Sequence, residues 1–377
     1  MNILAIESSC DETACAVVED GTKILGSAVA TSSAMHEKYG GIVPEVAARE
    51  QLKCIIPTIT EALGQAKMSL KEIDSLAVTV GPGLIGSLLI GVETAKTIAL
   101  TNNKPVIPVN HVLAHMYANF ISPYSCHSRE GGSLALSKPK PIPDQVGDDN
   151  RITFPAISLV VSGGHTELFL MKNTKDLKWL GGTLDDAAGE AFDKTARLLG
   201  FGSRGGVAIQ EAAMKWRPET SDRLQVLVKL PRPMLDENNF LNFSFSGLKT
   251  AILREVNKLK EQKQFNDLTV QQLACEVQES ITDVLVKKTL RAVKQHAAKS
   301  ILISGGVASN LRLREKFRSM ISNERLPAQA GLTINFHVPP VTLCTDNAAY
   351  IAAYAFFRGE PADWHDITAV PDLSVEI

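Results

Sequence analysis

The sequence NILAIESSCDETACAVV over residues 2–18 gives the strongest indication of the fold. An apolar strand, a short polar turn and a second apolar strand follow one another here. The same order recurs over residues 156–171, AISLVVSGGHTELFLM, where the turn consists of Ser162, Gly163 and Gly164. A strand–turn–strand unit at the head of each half predicts two related α/β lobes that face one another.

Size and charge narrow the classes of protein. The chain has 377 residues, of which 45% are hydrophobic and 21% charged. This length exceeds what one core usually spans, and the apolar fraction excludes wholesale disorder. Lys and Arg number 39 against 41 Asp and Glu, for a net charge of -2. An RNA substrate would therefore have to be met by a local patch or with a partner's help.

Cysteine spacing and hydropathy indicate the compartment. The six cysteines are scattered without a CxxC pair, which predicts reduced thiols rather than a disulfide framework or zinc ribbon. The chain opens on a strand, not on a signal peptide. Residues 84–100 are apolar, but Glu93 and Lys96 interrupt them, so they predict a core helix rather than a membrane span. We expect a cytoplasmic protein that does not contact a membrane.

Regular patterns are interrupted once along the chain. Residues 122–151 combine prolines and glycines with no sustained apolar period, which predicts an inserted, mobile segment. An ordered lid over the site is the alternative. The expected domains are an N-terminal lobe over residues 1–121 and a C-terminal lobe over residues 152–377, whose last helix can pack back on the first lobe.

Three turns of small residues follow buried strands, at residues 7–13, 162–165 and 304–310. Small residues let backbone N–H groups approach phosphate oxygens closely. Each turn alone is most often only a turn. Together, in matching places of a duplicated unit, they predict a nucleotide held between the lobes. The chain contains no GxxxxGK[ST] phosphate loop.

A pair of histidines indicates a metal site. His111 and His115 stand at i and i+4 on a predicted helix, and this spacing suits two imidazoles on one metal. Two partly buried helix histidines are the alternative. No Glu follows the first histidine, so the general base of an HExxH protease is missing. Asp346 is the best candidate for a third ligand, although an Asp before a helix is also a common N-cap.

Acidic residues provide candidates for proton transfer. Asp11 and Glu12 lie in the first polar turn, where they could act as a general base or as ligands of metal-bound water. The alternative is an exposed turn whose acids have no special role. Residues 184–199 predict a helix with an acidic face, which usually faces solvent. Asp193 on that face is the exception, because Lys194 and the Gly205–Gly206 turn follow it and together could cradle a ligand with hydroxyl groups.

Nine motifs in order carry a family resemblance. The chain resembles the tRNA N6-adenosine threonylcarbamoyltransferases of the bacterial TsaD type, formerly described as glycoproteases. The motifs are IESSCDET at 6–13, YGGIVPE at 39–45, GPGL at 81–84, NHVLAH at 110–115, VSGGHT at 161–166, DDAAGEAFD at 185–193, FSFSGLKT at 243–250, GGVASN at 305–310 and CTDN at 344–347.

The resemblance implies a fold and a reaction. The fold is that of actin, Hsp70 and sugar kinases, with two duplicated RNase H-like lobes and the active site in the cleft between them. The reaction transfers a threonylcarbamoyl group from threonylcarbamoyl-AMP to N6 of adenosine 37 in tRNAs that read ANN codons, and releases AMP. A metal-dependent endopeptidase, an ATPase or kinase on the same fold, and an inactive scaffold are the alternatives.

The resemblance also implies site residues and partners. Asp11 matches the catalytic acid, with Glu12 and His165 as possible supporting residues, and His111, His115 and Asp346 match the metal ligands. The positions that match the substrate site are Val160, Val161, Ser162, Gly163, Gly164, Asp193, Gly206 and Asn310. One divalent metal per subunit is implied, Fe²⁺ first and Zn²⁺ second. The implied partners are tRNA, a metal-free paralogous subunit of the TsaB type and a small P-loop ATPase of the TsaE type.

Two positions depart from the family pattern, and two basic stretches do not by themselves indicate a tRNA-binding surface. Val207 and Gln210 stand where the family usually has a proline and often an acid, so Gln210 is left out of the expected site. The basic stretches at residues 287–294 and 312–318 more often indicate a solvated face than a phosphate track.

Overall fold

We describe the protein from a computed structural model. The structure describes residues 1–36, 41–122, 152–202, 205–216, 228–235, 241–323, 334–375 and 377. The predicted insertion at residues 122–151 lies, apart from Ser122, outside the described residues.

The first lobe is built on a five-stranded sheet in the order β3-β2-β1-β4-β5. Its first three strands are antiparallel neighbours, and β4 and β5 continue the sheet in parallel with β1. Every residue of β4 is buried, as expected for a parallel strand covered on both faces. The strands are β1 (Asn2–Glu7), β2 (Glu12–Glu19), β3 (Lys23–Thr31), β4 (Ser75–Gly81) and β5 (Val106–Asn110).

The second lobe repeats this sheet strand for strand, in the order β10-β9-β6-β7-β8. Strands β6, β7 and β8 are antiparallel neighbours, while β9 runs parallel to β6 and β10 parallel to β9. The predicted duplication of an α/β lobe is confirmed. The strands are β6 (Ala156–Val161), β7 (Thr166–Met171), β8 (Leu177–Gly182), β9 (Ser300–Ser304) and β10 (Asn335–His337).

Helices cover both sheets. In the first lobe, α2 and α3 pack against each other, and α2 also packs on β2 and β3. In the second lobe, α8 packs against α5, α6 and α9. The helices are α1 (Ser33–His36), α2 (Pro44–Ala66), α3 (Ile85–Asn102), α4 (His111–His115), α5 (Ala188–Leu198), α6 (Gly205–Lys215), α7 (Ser246–Glu261), α8 (Asp267–His296), α9 (Leu311–Asn323) and α10 (Ala349–Phe357). Among the described residues, no helix is both long and apolar enough to cross a bilayer.

The last helix packs against the first lobe. Helix α10 contacts β1, β2 and α4, and one buried cluster joins Tyr350 of this helix to Ile3 of β1 and to Leu302 of β9. The chain then follows the first sheet, where the backbone N–H of Val370 donates to the carbonyl of Val80 at 2.7 Å. This return places Asp346, just before α10, beside α4.

One predicted helix begins later than expected. The expected helix over residues 184–199 begins only at Ala188. The carboxylate of Asp185 instead accepts hydrogen bonds from the backbone N–H and hydroxyl of Ser246, and it also holds Ser244 and Phe245. Asp185 therefore stabilises the start of α7. Asp186 precedes α5, so the expected acidic face of one helix does not include it.

Candidate active site

Two histidines and one aspartate converge between α4 and α10. Asn110 ends β5 and caps α4, because its Oδ1 accepts from the backbone N–H groups of Val112 and Leu113. The helix that starts here presents both histidines toward Asp346. The Nε2 atoms of His111 and His115 lie 3.7 and 3.5 Å from Oδ1 of Asp346.

These three residues fit a metal ion. Their ligand atoms all lie within 4.8 Å of one another. Within the described part of the chain, neither ring nitrogen of buried His115 has a hydrogen-bond partner, and buried polar atoms are rarely left so. Asn347, not Asp346, bonds to the first turn of α10, since its Oδ1 accepts from the backbone N–H of Ala349 at 3.0 Å. Two imidazoles and a carboxylate suit a divalent transition metal with room for a further ligand.

Burial and charge perturb each of these groups. Burial disfavours a charged His111, but the carboxylates of Glu7 and Asp346 outweigh it and raise its pKa to about 9. Burial and the charge of His111 hold the pKa of His115 well below its usual value. Burial also raises the pKa of Asp346, although His111 opposes this effect. Such opposed shifts within one cluster are typical of functional sites.

Glu12 is the strongly perturbed acid of the first turn. Burial, followed by the charges of Asp346 and Asp11, raises the pKa of Glu12 to about 9. Glu12 therefore carries a proton at neutral pH and shares a hydrogen bond with Asp11. The turn is held by buried Gln51 of α2, whose Nε2 donates to the carbonyls of Cys10 and Glu12 at 3.0 and 2.9 Å.

A cavity of about 200 Å³ opens in the second lobe between α5, α6 and the turn before α9. Four predicted substrate residues line it, together with several neighbours that the sequence analysis did not select. The lining consists of Gly163, Gly189, Phe192, Asp193, Gly206, Val207, Gln210, Gly306, Val307, Ser309 and Asn310.

The polar side chains of the cavity are held by the surrounding elements. Oδ1 of Asp193 accepts from the backbone N–H of Gly205 at 2.9 Å. Burial raises the pKa of Asp193. Asn310 caps α9 through the N–H of Leu313, and its amide nitrogen donates to Gln278. Both residues are therefore fixed before any ligand arrives.

The turn after β6 joins the cavity to the histidine cluster. Gly163 lines the cavity, and two residues on, burial and the nearby charge of His111 lower the pKa of His165 to about 4. The side chains of Val160 and Val161 are fully buried in core clusters. Their contribution to this site is to fix the backbone that leads into the turn.

Three residues that support the site are not among those predicted from the sequence. Glu7 contacts His111, Gln51 holds the Asp11 turn, and Gln210 lines the cavity while its Oε1 accepts from the backbone N–H of Leu311 at 2.7 Å. For Gln210 the signal was its place shortly after Gly205 and Gly206, which begin α6 rather than form the predicted turn. Glu7 and Gln51 find their partners far along the chain, and no local pattern indicates such contacts.

Comparison with known proteins identifies the family. The family model described as tRNA N6-adenosine threonylcarbamoyltransferase matches residues 23–132 and 144–353. Residues 133–143, between the two matched segments, fall within the predicted insertion. Proteins of that name from Persephonella marina and Moorella thermoacetica are 43% and 41% identical to this chain. The alignments cover 95% and 99% of this chain and 90% and 96% of those proteins.

Solved structures with the same fold are more distant. HypF from T. kodakarensis superposes with a TM-score of 0.54 at 13% identity, over 94% of this chain and 47% of that one. Component A of the Acidaminococcus fermentans (R)-2-hydroxyglutaryl-CoA dehydratase gives 0.50 at 13% identity, over 94% and 98%. These likenesses confirm the predicted fold of actin and sugar kinases and carry no function. The near full-length matches to the curated proteins decide the family, and the chain belongs to the tRNA N6-adenosine threonylcarbamoyltransferases.

Proposed function

We propose that the protein transfers a threonylcarbamoyl group from threonylcarbamoyl-AMP to N6 of adenosine 37 in tRNAs that read ANN codons. Family membership supports this activity. The observation that carries it in the structure is the turn after β6, which lines the cavity with Gly163 and holds His165 near enough to the histidine cluster for the charge of His111 to act on it. A mixed anhydride of AMP that spans the cavity and the histidine cluster would place its nucleotide in the cavity and its reactive carbonyl beside the histidines.

In the proposed reaction, the cavity holds the adenylate. The backbone N–H groups of Gly163 and Gly164, in the turn after β6, then stabilise negative charge that develops on the threonylcarbamoyl carbonyl. The lone pair of N6 attacks the carbonyl carbon, a C–N bond forms, and the C–O bond to phosphate breaks to release AMP. Asp11 accepts the proton that N6 loses. Glu12, the next residue of the turn, supports Asp11 from the same turn, whose backbone Gln51 holds on both sides of Asp11.

His111, His115 and Asp346 would hold one divalent metal, with Fe²⁺ preferred and Zn²⁺ as the second candidate. When bound, such a metal supplies Lewis acidity toward a phosphate or carbamate oxygen of the substrate. The residues themselves supply a buried, preformed set of ligand atoms within 4.8 Å of one another. The endopeptidase alternative lacks a general base between the histidines, because the residues there are the buried, apolar Val112, Leu113 and Ala114.

The proposed partners are tRNA, a metal-free paralogous subunit of the TsaB type and a P-loop ATPase of the TsaE type, all in the cytoplasm. Exposed apolar residues on α2 and α3 favour the docking of a partner subunit on these helices. Leu52 and Ile56 of α2 are 68% and 59% exposed, and Ile85 and Leu89 of α3 add a second exposed apolar pair at i and i+4.

The test combines the purified protein, its partner proteins, threonylcarbamoyl-AMP and unmodified tRNA, with nucleoside analysis of the product. We expect threonylcarbamoyladenosine and AMP in equal amounts. Asp346→Asn should abolish the product, whereas Asp176→Asn, in an exposed turn away from the site, should leave it unchanged. A complete mixture that yields no modified adenosine would overturn the proposal.

A further inference from the structure

Glu7 ends β1 directly beneath the histidine cluster, and the proposed reaction leaves it without a task. Its side chain is 1% exposed. A buried carboxylate is costly unless its oxygens are satisfied. Oε1 accepts from the backbone N–H of Ser9 at 2.6 Å, and Oε2 accepts from the hydroxyl of Thr79 on β4. The remaining partner of Oε2 is Nδ1 of His111, at 3.0 Å.

This contact is the shorter of two at Nδ1, since Oγ of Ser9 also lies 3.3 Å from that nitrogen, and it orients the imidazole of His111. A carboxylate offers only acceptors, so the hydrogen on Nδ1 points to Glu7. The opposite ring nitrogen, Nε2, is the one that faces Oδ1 of Asp346. With Nδ1 committed to Glu7, only Nε2 can act as a ligand toward Asp346 and His115.

The second histidine is held differently. Within the described residues, His115 has no hydrogen bond at Nδ1, and its ring packs on Tyr350 with centroids 4.5 Å apart. Packing thus orients His115, while a hydrogen bond orients His111. A change at Glu7 should therefore act on one ligand and leave the other in place.

We propose that Glu7, supported by Thr79, is a positioning residue that fixes His111 with its Nδ1 hydrogen bonded and its Nε2 presented as the metal ligand. The inference rests on the metal site of the proposed function and adds the residue that prepares it. Carboxylates that accept from the free ring N–H of a ligating histidine raise its basicity and set its orientation, and their loss typically weakens metal binding about 10–100-fold.

Zn²⁺ affinity of the full-length protein tests this, measured by competition with a chromophoric chelator. Glu7→Gln keeps the size of the side chain but can donate as well as accept. We expect it to weaken Zn²⁺ binding about 10–100-fold. Thr79→Val, which removes the support of Oε2 without changing charge, should weaken it less. Ser75→Ala removes another buried hydroxyl from β4, away from His111, and should leave affinity unchanged.

A second readout separates positioning from general loosening of the fold. In the Zn²⁺-loaded protein, long-range ¹⁵N–¹H spectra of the histidines should show a protected Nδ1 hydrogen on His111, and Thr79→Val or Glu7→Gln should expose it to exchange. Equal Zn²⁺ affinity and equal spectra for wild type and Glu7→Gln would overturn this inference alone. Failure of the wild type to bind Zn²⁺ or Fe²⁺ would overturn the metal site of the proposed function as well.

Discussion

Single glycines around the cavity divide into two groups. A Cβ added at Gly205 would lie 2.6 Å from Asp193, and at Gly305, where φ is +87°, 2.3 Å from the carbonyl oxygen of Val161. The backbone itself requires these two glycines. At Gly163, Gly206 and Gly306 an added Cβ meets no atom of the described residues within 4 Å. These three therefore leave space for a ligand.

Gly206→Ala should accordingly weaken AMP binding without loss of stability. The new methyl group would enter the cavity, and overpacking of about 1–3 kcal/mol corresponds to an affinity loss of roughly 5–150-fold. Titration calorimetry with AMP measures the loss, and thermal unfolding should show no decrease because Ala favours the helix. Gly64→Ala in α2, where an added Cβ is equally free, is the matched control. Equal AMP affinity in both variants would contradict the assignment.

Glu12 predicts a pH dependence of stability in the metal-free protein. Between its usual pKa of 4.5 and the raised value of about 9, the folded state binds a proton that the unfolded state has released. Stability contributed by this group is therefore full below pH 4.5 and is lost as pH rises toward 9. Glu12→Gln removes that loss, so its melting temperature should exceed that of the wild type at pH 8 and approach it at pH 4.5. A difference that is constant with pH would contradict this.

Among the elements, the connection from α2 to the first turn carries the most consequence for the site. Gln51 is 1% exposed, and its amide nitrogen reaches the carbonyls of Ser8, Cys10 and Glu12. One side chain thus holds the backbone on both sides of Asp11. The exposed apolar residue Leu52 is its neighbour on the same helix, so contacts on the outside of α2 lie one residue from this clamp.

Gln51→Leu should free this turn. Loss of a buried hydrogen-bond donor costs about 1–3 kcal/mol, and transfer activity should fall because Asp11 is no longer held. Hydrogen exchange over residues 8–12 should accelerate. Gln65→Leu, an exposed glutamine on the same helix that bonds to Ser27 instead, should leave exchange in the turn unchanged. Similar exchange and activity in the two variants would show that the clamp does not position Asp11.

Elements also show what the sequence could predict. Strands β1 and β6 were predictable because their apolar runs are continuous. Such runs are expected of central strands that are buried on both faces of the sheet. Strand β3 was missed because its burial is irregular along an edge of the sheet. The histidine pair was readable because i and i+4 share one helix face. Glu7 was not, since Thr79 and His111 reach it only after β4 and β5 join the sheet.

At the scale of the whole molecule, the basic stretches at residues 287–294 and 312–318 bear on tRNA contact, and several of their positive charges are engaged within the fold. Lys288 is buried, with its Nζ on the carbonyl of Asn242 at 2.6 Å. Lys316 pairs with Asp283 and Glu279 of α8, and Arg312 also pairs with Glu279. The two basic stretches of the sequence are therefore not continuous phosphate tracks. Residue spacing alone could not reveal this, because the acidic partners of Arg312 and Lys316 lie on α8 and the partner of Lys288 is a distant backbone carbonyl.

The chain alone should consequently bind tRNA weakly. Its net charge is -2, and few unpaired cations remain in those stretches to displace counterions from phosphates. Anisotropy of labelled tRNA should give a Kd of about 10⁻⁴–10⁻⁶ M, typical of non-specific contact, with a shallow dependence on salt between 50 and 200 mM. Addition of the partner proteins should tighten binding and steepen that dependence, because they contribute the missing cations. Tight, steeply salt-dependent binding by the chain alone would instead require a basic surface formed elsewhere on it.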